Sequence, residues 1–265
     1  MSAHQTHVTA APSVAWRFSS TAAQPARATD TTSANDKGKG KDAPVLGEDQ
    51  PAFSTLEGKV SKVTLSTIAS TFNITNMSPV QAAVLPLLPE LAEPYNPDSK
   101  NARDLLVKAR TGTGKTLGFL IPAVEARVKA LHAAGKQAVL DAGLVSDRHM
   151  ELRAKRVLSR TVAGALIISP TRELATQIAN EALRLTSRQD GFEVRLFVGG
   201  ASKRMQMRDW MRGRRDIVVA TPGRMRDLLE NEPEISKGFE NCPFVRISTI
   251  CRMKIRPNAI CTAHP

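Results

Sequence analysis

The segment Ala109-Arg110-Thr111-Gly112-Thr113-Gly114-Lys115-Thr116 follows the apolar run Leu105-Leu106-Val107 and leads into a long helical pattern. A strand, a glycine-bearing turn and a helix start, in that order, build one specific local shape. Gly112 and Gly114 let successive backbone N–H groups turn inward around phosphate oxygens, and the helix N-terminus adds its partial positive charge. Lys115 then reaches the phosphates as a point charge, while Thr116 offers a hydroxyl to Mg2+. The pattern is a P-loop with Ala109 where the general form has glycine. A chance glycine-rich turn ahead of a helix is the plainer alternative, but it leaves the common register of strand, loop and helix unexplained.

From Phe53 onward, apolar runs alternate with amphipathic stretches. Besides 105–107, strands are expected at Ala165-Leu166-Ile167-Ile168, Val194-Arg195-Leu196-Phe197-Val198 and Ile217-Val218-Val219-Ala220, and a last one opens with Phe244-Val245-Arg246-Ile247-Ser248-Thr249-Ile250. Each earlier run ends in Gly, Pro or Thr and is followed by a helical pattern, the βαβ rhythm of a parallel sheet with crossover helices. The fold class is therefore α/β, and ligands are expected at the C-terminal ends of the strands. Between about Ala134 and Arg160 the strand rhythm is interrupted by a charged stretch with Arg153, Lys155, Arg156 and Arg160, which reads as a helical insertion, in most chains a solvated decoration. There is no internal repeat.

The chain has 37 Lys and Arg against 25 Asp and Glu, a net charge of +12, so a polyanion such as nucleic acid is the expected partner. With 42% apolar residues over 265 positions there is enough to bury a large core, yet no apolar run reaches the length needed to cross a bilayer. Residues 1–50 have a different composition. Met1 to Thr29 contain no acid, are rich in Ser, Thr and Ala, and carry Arg17 and Arg27, like a mitochondrial transit peptide. An ordinary disordered N-terminus is the alternative, with a cytoplasmic or nuclear location. Around Lys37-Gly38-Lys39-Gly40-Lys41 the chain is too poor in bulky apolar groups to fold and reads as linker. The three cysteines, Cys242, Cys251 and Cys261, lack the paired close spacing of a zinc site and build no disulfide framework.

The form Ala-x-Thr-Gly-x-Gly-Lys-Thr resembles the DEAD-box RNA helicases. Pro170-Thr171-Arg172-Glu173-Leu174-Ala175 is similar to that family's motif Ia, and Gly199-Gly200 and Thr221-Pro222-Gly223-Arg224 follow in the family's order. The resemblance covers about Phe53 to Glu240. It implies a RecA-like parallel sheet flanked by helices, incomplete at the C-terminus and preceded by a disordered leader. Residues 51–250 are then a partial helicase ATP-binding domain and 251–265 a tail foreign to the family. The implied cofactors are ATP and Mg2+, with the nucleotide on residues 109 to 116.

Met77-Ser78-Pro79-Val80-Gln81 resembles the Q motif, in which the Gln81 amide pairs with the adenine edge. Taken alone, Ser78 and Pro79 are also a good helix start. Phe53 is the candidate for stacking on the base, with a core phenylalanine as the alternative. Motif Ia, the Gly pair and the Thr-Pro-Gly-Arg turn imply a grip on the sugar-phosphate backbone of single-stranded RNA. Thr171 and Thr221 supply hydroxyls at helix starts, Gly199, Gly200 and Gly223 allow close approach, and Arg172 and Arg224 present forks to phosphate. A local salt bridge is the alternative for Arg172. Arg204, Arg208 and Arg212 recur every four residues opposite Met207, Trp210 and Met211, a basic helix face that reads first as solvated.

The resemblance also implies Asp-Glu-Ala-Asp at the end of the last strand, where carboxylates hold the Mg2+ shell and position water. Here the sequence runs on as Cys251-Arg252-Met253, and no acid follows Glu240. The expected function is an ATP-dependent RNA helicase fragment that binds ATP and RNA and is inactive in hydrolysis by itself. A non-catalytic ATP- and RNA-binding module is the alternative. The tail reads as a frame change or retained intron in the gene reading, a partial sequence, or a short isoform.

Overall fold

The computed structural model describes residues 50–93, 105–107, 109, 112–242 and 244–247. The leader, most of the linker, Arg110, Thr111 and the tail beyond residue 247 lie outside them.

Four parallel strands form one sheet: β1 (Ala165–Ile168), β2 (Val194–Phe197), β3 (Ile217–Ala220) and β4 (Phe244–Ile247), in the spatial order β2-β3-β1-β4. Ala165 to Ile168 pair with Ile217 to Ala220 on one side and with Phe244 to Ile247 on the other. Both faces of the sheet are covered, so β1 and β3 read as unbroken apolar runs rather than as alternating ones. Ile217 and Val219 face one core, with Ala165, Ile167 and the helices α3 (Lys115–Asp141) and α5 (Arg172–Leu185). Val218 and Ala220 face the other, with Leu166, Phe197 and the helices α6 (Lys203–Arg212), α7 (Pro222–Asn231) and α8 (Pro233–Phe239). At its centre Trp210 lies between Phe197 and Phe239, ring centroids 5.7 and 5.4 Å away.

The chain passes from β1 over β3 to β2, returns to β3, and crosses β1 to reach β4. The connections β1 to β2 and β3 to β4 run in opposite directions across the sheet, and in such sheets ligands collect in the crevice at the strand C-termini. Upstream, α1 (Lys62–Thr67) and α2 (Pro79–Val84) are pinned to this body. Glu125 of α3 accepts hydrogen bonds from Ser61 N at 3.1 Å, Ser61 Oγ at 2.8 Å and Thr64 Oγ1 at 2.6 Å, which ties the start of α1 to the P-loop helix.

Three expectations change. Leu105 to Val107 form no ladder with any described strand, and Leu106 is fully exposed. An apolar triplet becomes a strand only where a neighbouring strand offers its unpaired N–H and C=O groups, and none of the described strands does so here. The insertion is helical as expected, but it is a hairpin: α3 runs for 27 residues, about 40 Å, and α4 (Arg148–Thr161) packs back along it. On α6, Trp210 is buried while Met211 is 56% exposed, so the apolar face is narrower than the sequence pattern implies.

Candidate nucleotide and nucleic-acid site

The P-loop keeps the backbone its residue types call for. Gly112 and Gly114 have φ of 78° and 75°, the left-handed region that glycine enters without penalty. Gly114 is the N-cap of α3 and, as a glycine, makes no side-chain capping bond there. Lys115 donates its ammonium to the Ala109 carbonyl at 2.8 Å, which curls the side chain over the loop.

Gln81 is 3% exposed and is joined to the loop. Its Nε2 donates to the Gly114 carbonyl at 3.0 Å, its Oε1 accepts from Ser78 N at 2.8 Å, and Ser78 Oγ donates to the Thr113 carbonyl at 2.9 Å. Ser78 and Gln81 also complete a capping box at the start of α2. The amide expected to read adenine is thus also the clamp that sets the loop's shape. These bonds use one of the two Nε2 hydrogens and one Oε1 lone pair.

Phe53 is placed differently. Its ring is 4% exposed and belongs to the main core with Leu56, Val60 and Met77. The alternative reading therefore holds, because a ring enclosed by aliphatic neighbours has no face to give to a base.

Burial raises the pKa of Glu181 on α5, with the neighbouring Thr116 hydroxyl and the charge of Arg184 pulling the other way. Glu181 escaped the sequence reading, since nothing in the spacing of α5 says that α3 lies against that position.

Residues of the three motifs that follow β1, β2 and β3 converge. A cavity of about 590 Å³ at the strand C-termini is lined by Pro170 to Glu173 after β1, Gly199 after β2, and Thr221, Gly223, Arg224 and Asp227 after β3. Gly200 and Pro222 are adjacent in sequence. Thr171 caps α5 by accepting from Leu174 N at 3.2 Å. Thr221 precedes α7 without a side-chain capping bond.

Arg172 lies across the glycine pair. A Cβ added at Gly200 would stand 2.5 Å from its Nη1, and one at Gly199 would stand 3.5 Å from its Nη2. Among the described residues it makes no ion pair. Arg224 is restrained instead. Its Nη1 donates to Gln206 Oε1 at 2.7 Å, its Nη2 to the Ala201 carbonyl at 3.2 Å, and its Nε lies 3.8 Å from Asp227. Gln206 in turn donates to the Val198 carbonyl at 3.1 Å. Lys203 stands 3.2 Å from Asp227 and 3.1 Å from Glu232, and its hydrogen bond is the main cause of the lowered Asp227 pKa.

The Asp227 carboxylate beside the cavity is therefore already matched by a cation. Gln206 and Asp227 were not singled out in the sequence. The only available signal was a polar residue at a helix position, four before Trp210, that has to be buried.

The family model for the DEAD/DEAH box helicase matches residues 78–245. The chain belongs to the DEAD/DEAH box helicase family. It is 33% identical over 190 residues to the ATP-dependent RNA helicase mss116, mitochondrial, of Aspergillus oryzae, covering 71% of this chain and 24% of that relative. To the DEAD-box ATP-dependent RNA helicase 25 of Oryza sativa subsp. japonica it is 36% identical over 160 residues, 60% of this chain and 22% of the relative.

The chain thus spans less than a quarter of the length of these helicase relatives. Among solved structures, the yeast DEAD-box splicing factor Prp28 matches with a TM-score of 0.52 at 21% identity, covering 79% of this chain and 49% of that one. The DEAD-box helicase Mss116 bound to single-stranded RNA and UDP-BeF matches with 0.50 at 21%, covering 77% and 42%. At that identity the likeness shows the fold, a helicase RecA-like domain, and agrees with the parallel sheet described above.

Proposed function

We propose that this chain is the ATP- and RNA-binding N-terminal part of an ATP-dependent RNA helicase. The observation that carries the reading is the convergence of Pro170 to Glu173, Gly199, Thr221, Gly223 and Arg224 on one cavity at the sheet edge where β1, β2 and β3 end. Motifs separated by up to about fifty residues meet there with two guanidinium groups, hydroxyl donors and glycines that admit a close backbone, a chemistry suited to a single strand read without base contacts.

The P-loop fits a nucleotide triphosphate. Two left-handed glycines, an uncapped helix N-terminus and the Lys115 ammonium present donors to phosphate oxygens. Thr116 would hold Mg2+, which supplies charge neutralisation between the phosphates when bound. Gln81, fixed to the Gly114 carbonyl, carries adenine recognition into the shape of the loop. ATP binding at residues 109 to 116 then favours a bent single strand at the three backbone motifs, and loss of the γ-phosphate releases it.

A second reading, a non-catalytic ATP- and RNA-binding module, is favoured by one observation: no acidic residue follows Glu240. The two readings part in a single-turnover hydrolysis measurement with and without RNA. Binding of a labelled eight-nucleotide oligouridine, measured by anisotropy, tests both. Affinity lost in Arg172→Gln supports the cavity as the RNA site, and unchanged affinity overturns it.

For location, the acid-free stretch from Met1 to Thr29 supports mitochondrial targeting, and one relative bears the description mitochondrial. Residues 1–45 fused to a fluorescent reporter should enter mitochondria and stay out when Arg17 and Arg27 are replaced by Gln. Diffuse cytosolic signal from the intact leader would count against it.

A further inference from the structure

We infer that the outer face of α4 is a second RNA-backbone contact, on the opposite edge of the sheet from the cavity. The inference rests on the RNA-binding reading above and extends it to a surface outside every motif that reading uses.

Helix α4 carries Arg148, Arg153, Arg156 and Arg160, all exposed. At 100° per residue, Arg153, Arg156 and Arg160 fall within about 60° of arc and spread over about 10 Å of axis, with His149 on the same stripe. The only acid of the helix, Glu151, is turned away towards α3, where it pairs with Lys155 at 3.7 Å. None of the four guanidinium groups has an ion-pair partner in the described structure.

This arrangement does not serve the helix. Like charges three and four residues apart repel, by a few tenths of a kcal/mol per pair in isolated helices, and Arg148 in the first turn faces the positive end of the dipole. A polyanion along the stripe relieves the repulsion among Arg153, Arg156 and Arg160. Its residue type selects among polyanions. Guanidinium forks suit phosphodiesters, and the only lysine of the helix is the one turned inward. The large apolar residues that flank the stripe, Leu152 and Val157, are 48% and 55% exposed and stand at its two borders, which is too little for the continuous apolar face that a membrane-surface helix buries.

Position decides what such a contact does. Thr161 ends α4 and the chain enters β1 at Ala165, whereas the cavity begins past the other end of β1 at Pro170. A strand held in the cavity lies past the C-terminal end of β1, whereas α4 stops before its N-terminal end, so RNA that extends beyond the cavity meets both. The face then acts as a tether that raises the local concentration of the strand at the cavity.

The test compares the full chain with the variant R153Q/R156Q/R160Q on an eight-nucleotide and a forty-nucleotide oligouridine, titrated from 50 to 300 mM salt. The expected result is unchanged affinity for the short RNA, about a tenfold loss for the long one, and a salt slope for the long RNA shallower by about two, from three lost phosphate contacts. R153K/R156K/R160K should restore most of the slope, which separates lost charge from a misfolded hairpin. Equal affinity and slope for the long RNA in wild type and the Gln variant would overturn the inference. So would a Gln variant that loses only binding to vesicles containing phosphatidylserine. Failure of the cavity reading looks different: Arg172→Gln would then leave short-RNA binding untouched.

Discussion

Arg224 Nη1 donates to Gln206 Oε1 at 2.7 Å, and the same amide donates to the Val198 carbonyl at 3.1 Å. A buried glutamine on α6 therefore connects the end of β2 to the first turn of α7, and it holds the arginine fork at one angle over the cavity. Gln206→Leu keeps the volume, removes both bonds and leaves the Val198 carbonyl without its partner. The expected cost is about 1–3 kcal/mol of stability. RNA affinity should fall several-fold with ATP affinity unchanged. Chemical denaturation and anisotropy titrations check the two parts separately.

The clamp between Gln81 and Gly114 makes the P-loop sensitive to a single methyl group. A Cβ at Gly114 would stand 2.5 Å from Gln81 Nε2, at a φ of 75° that disfavours side chains. Gly114→Ala should abolish nucleotide binding, as should Lys115→Ala through loss of the phosphate cation. Gln81→Ala should weaken ATP and also reduce its advantage over GTP. Competition titrations with a fluorescent ATP analogue read all three, and unchanged affinity in the first two would overturn the phosphate-loop assignment.

Asp216 is fully buried and accepts from Arg127 Nε at 2.9 Å, Arg214 Nε at 2.8 Å and Glu193 N at 3.1 Å. Asp216→Ala leaves the Arg127 guanidinium buried without its countercharge and should destabilise the chain by about 3–5 kcal/mol. The paired change Asp216→Leu with Arg127→Met should recover part of this, because the fully buried Arg127 charge goes with its partner and the Arg214 guanidinium left behind is partly exposed. Urea unfolding of the three chains decides it.

His132 of α3 faces α4 in the hairpin. Burial first, then the charges of Lys155 and Lys136, lower its pKa below 6.5, while Glu151 opposes them. Its Nδ1 lies 3.4 Å from the Lys155 ammonium, a geometry that suits the neutral ring. In the unfolded chain the ring takes up its proton at the ordinary pH. The folded state is thus favoured above the unfolded pKa, and the contribution is lost as pH falls through the ordinary histidine range towards the lowered folded value. His132→Gln should flatten the stability profile between about pH 7 and pH 5. An unaltered profile would show that another group titrates there.

These 265 residues should bind ATP without hydrolysing it. Thr116 brings a hydroxyl to the metal position, but no acidic residue after Glu240 is available to orient an attacking water. Phosphate release above background that is stimulated by RNA would show that another carboxylate, with Glu181 the first to replace, does that work.

Short-range chemistry made much of this protein legible in its sequence. Ala165 to Ile168 and Ile217 to Ala220 were readable to the residue, because a strand buried on both faces writes itself as an apolar run ended by Pro or Thr. The phosphate loop was readable for a similar reason: left-handed glycines, a lysine and a helix start are specified within eight consecutive positions.

Tertiary structure decided what depends on which donor meets which acceptor across the fold. Nothing in the sequence brings Gln81 to Gly114, 33 positions away, or Gln206 to Arg224, 18 away, although each residue is visibly polar and capable. Phe53 was assigned to a base or to a core with equal right until Leu56, Val60 and Met77 closed around it. The run 105–107 has strand composition without a strand partner among the described residues. The exposed arginines of α4 emerge only when α3 takes Glu151 to its own side. Residue type and local order fix what a segment is able to do, and the packing of distant segments, through burial and pairing, fixes which of those abilities is used.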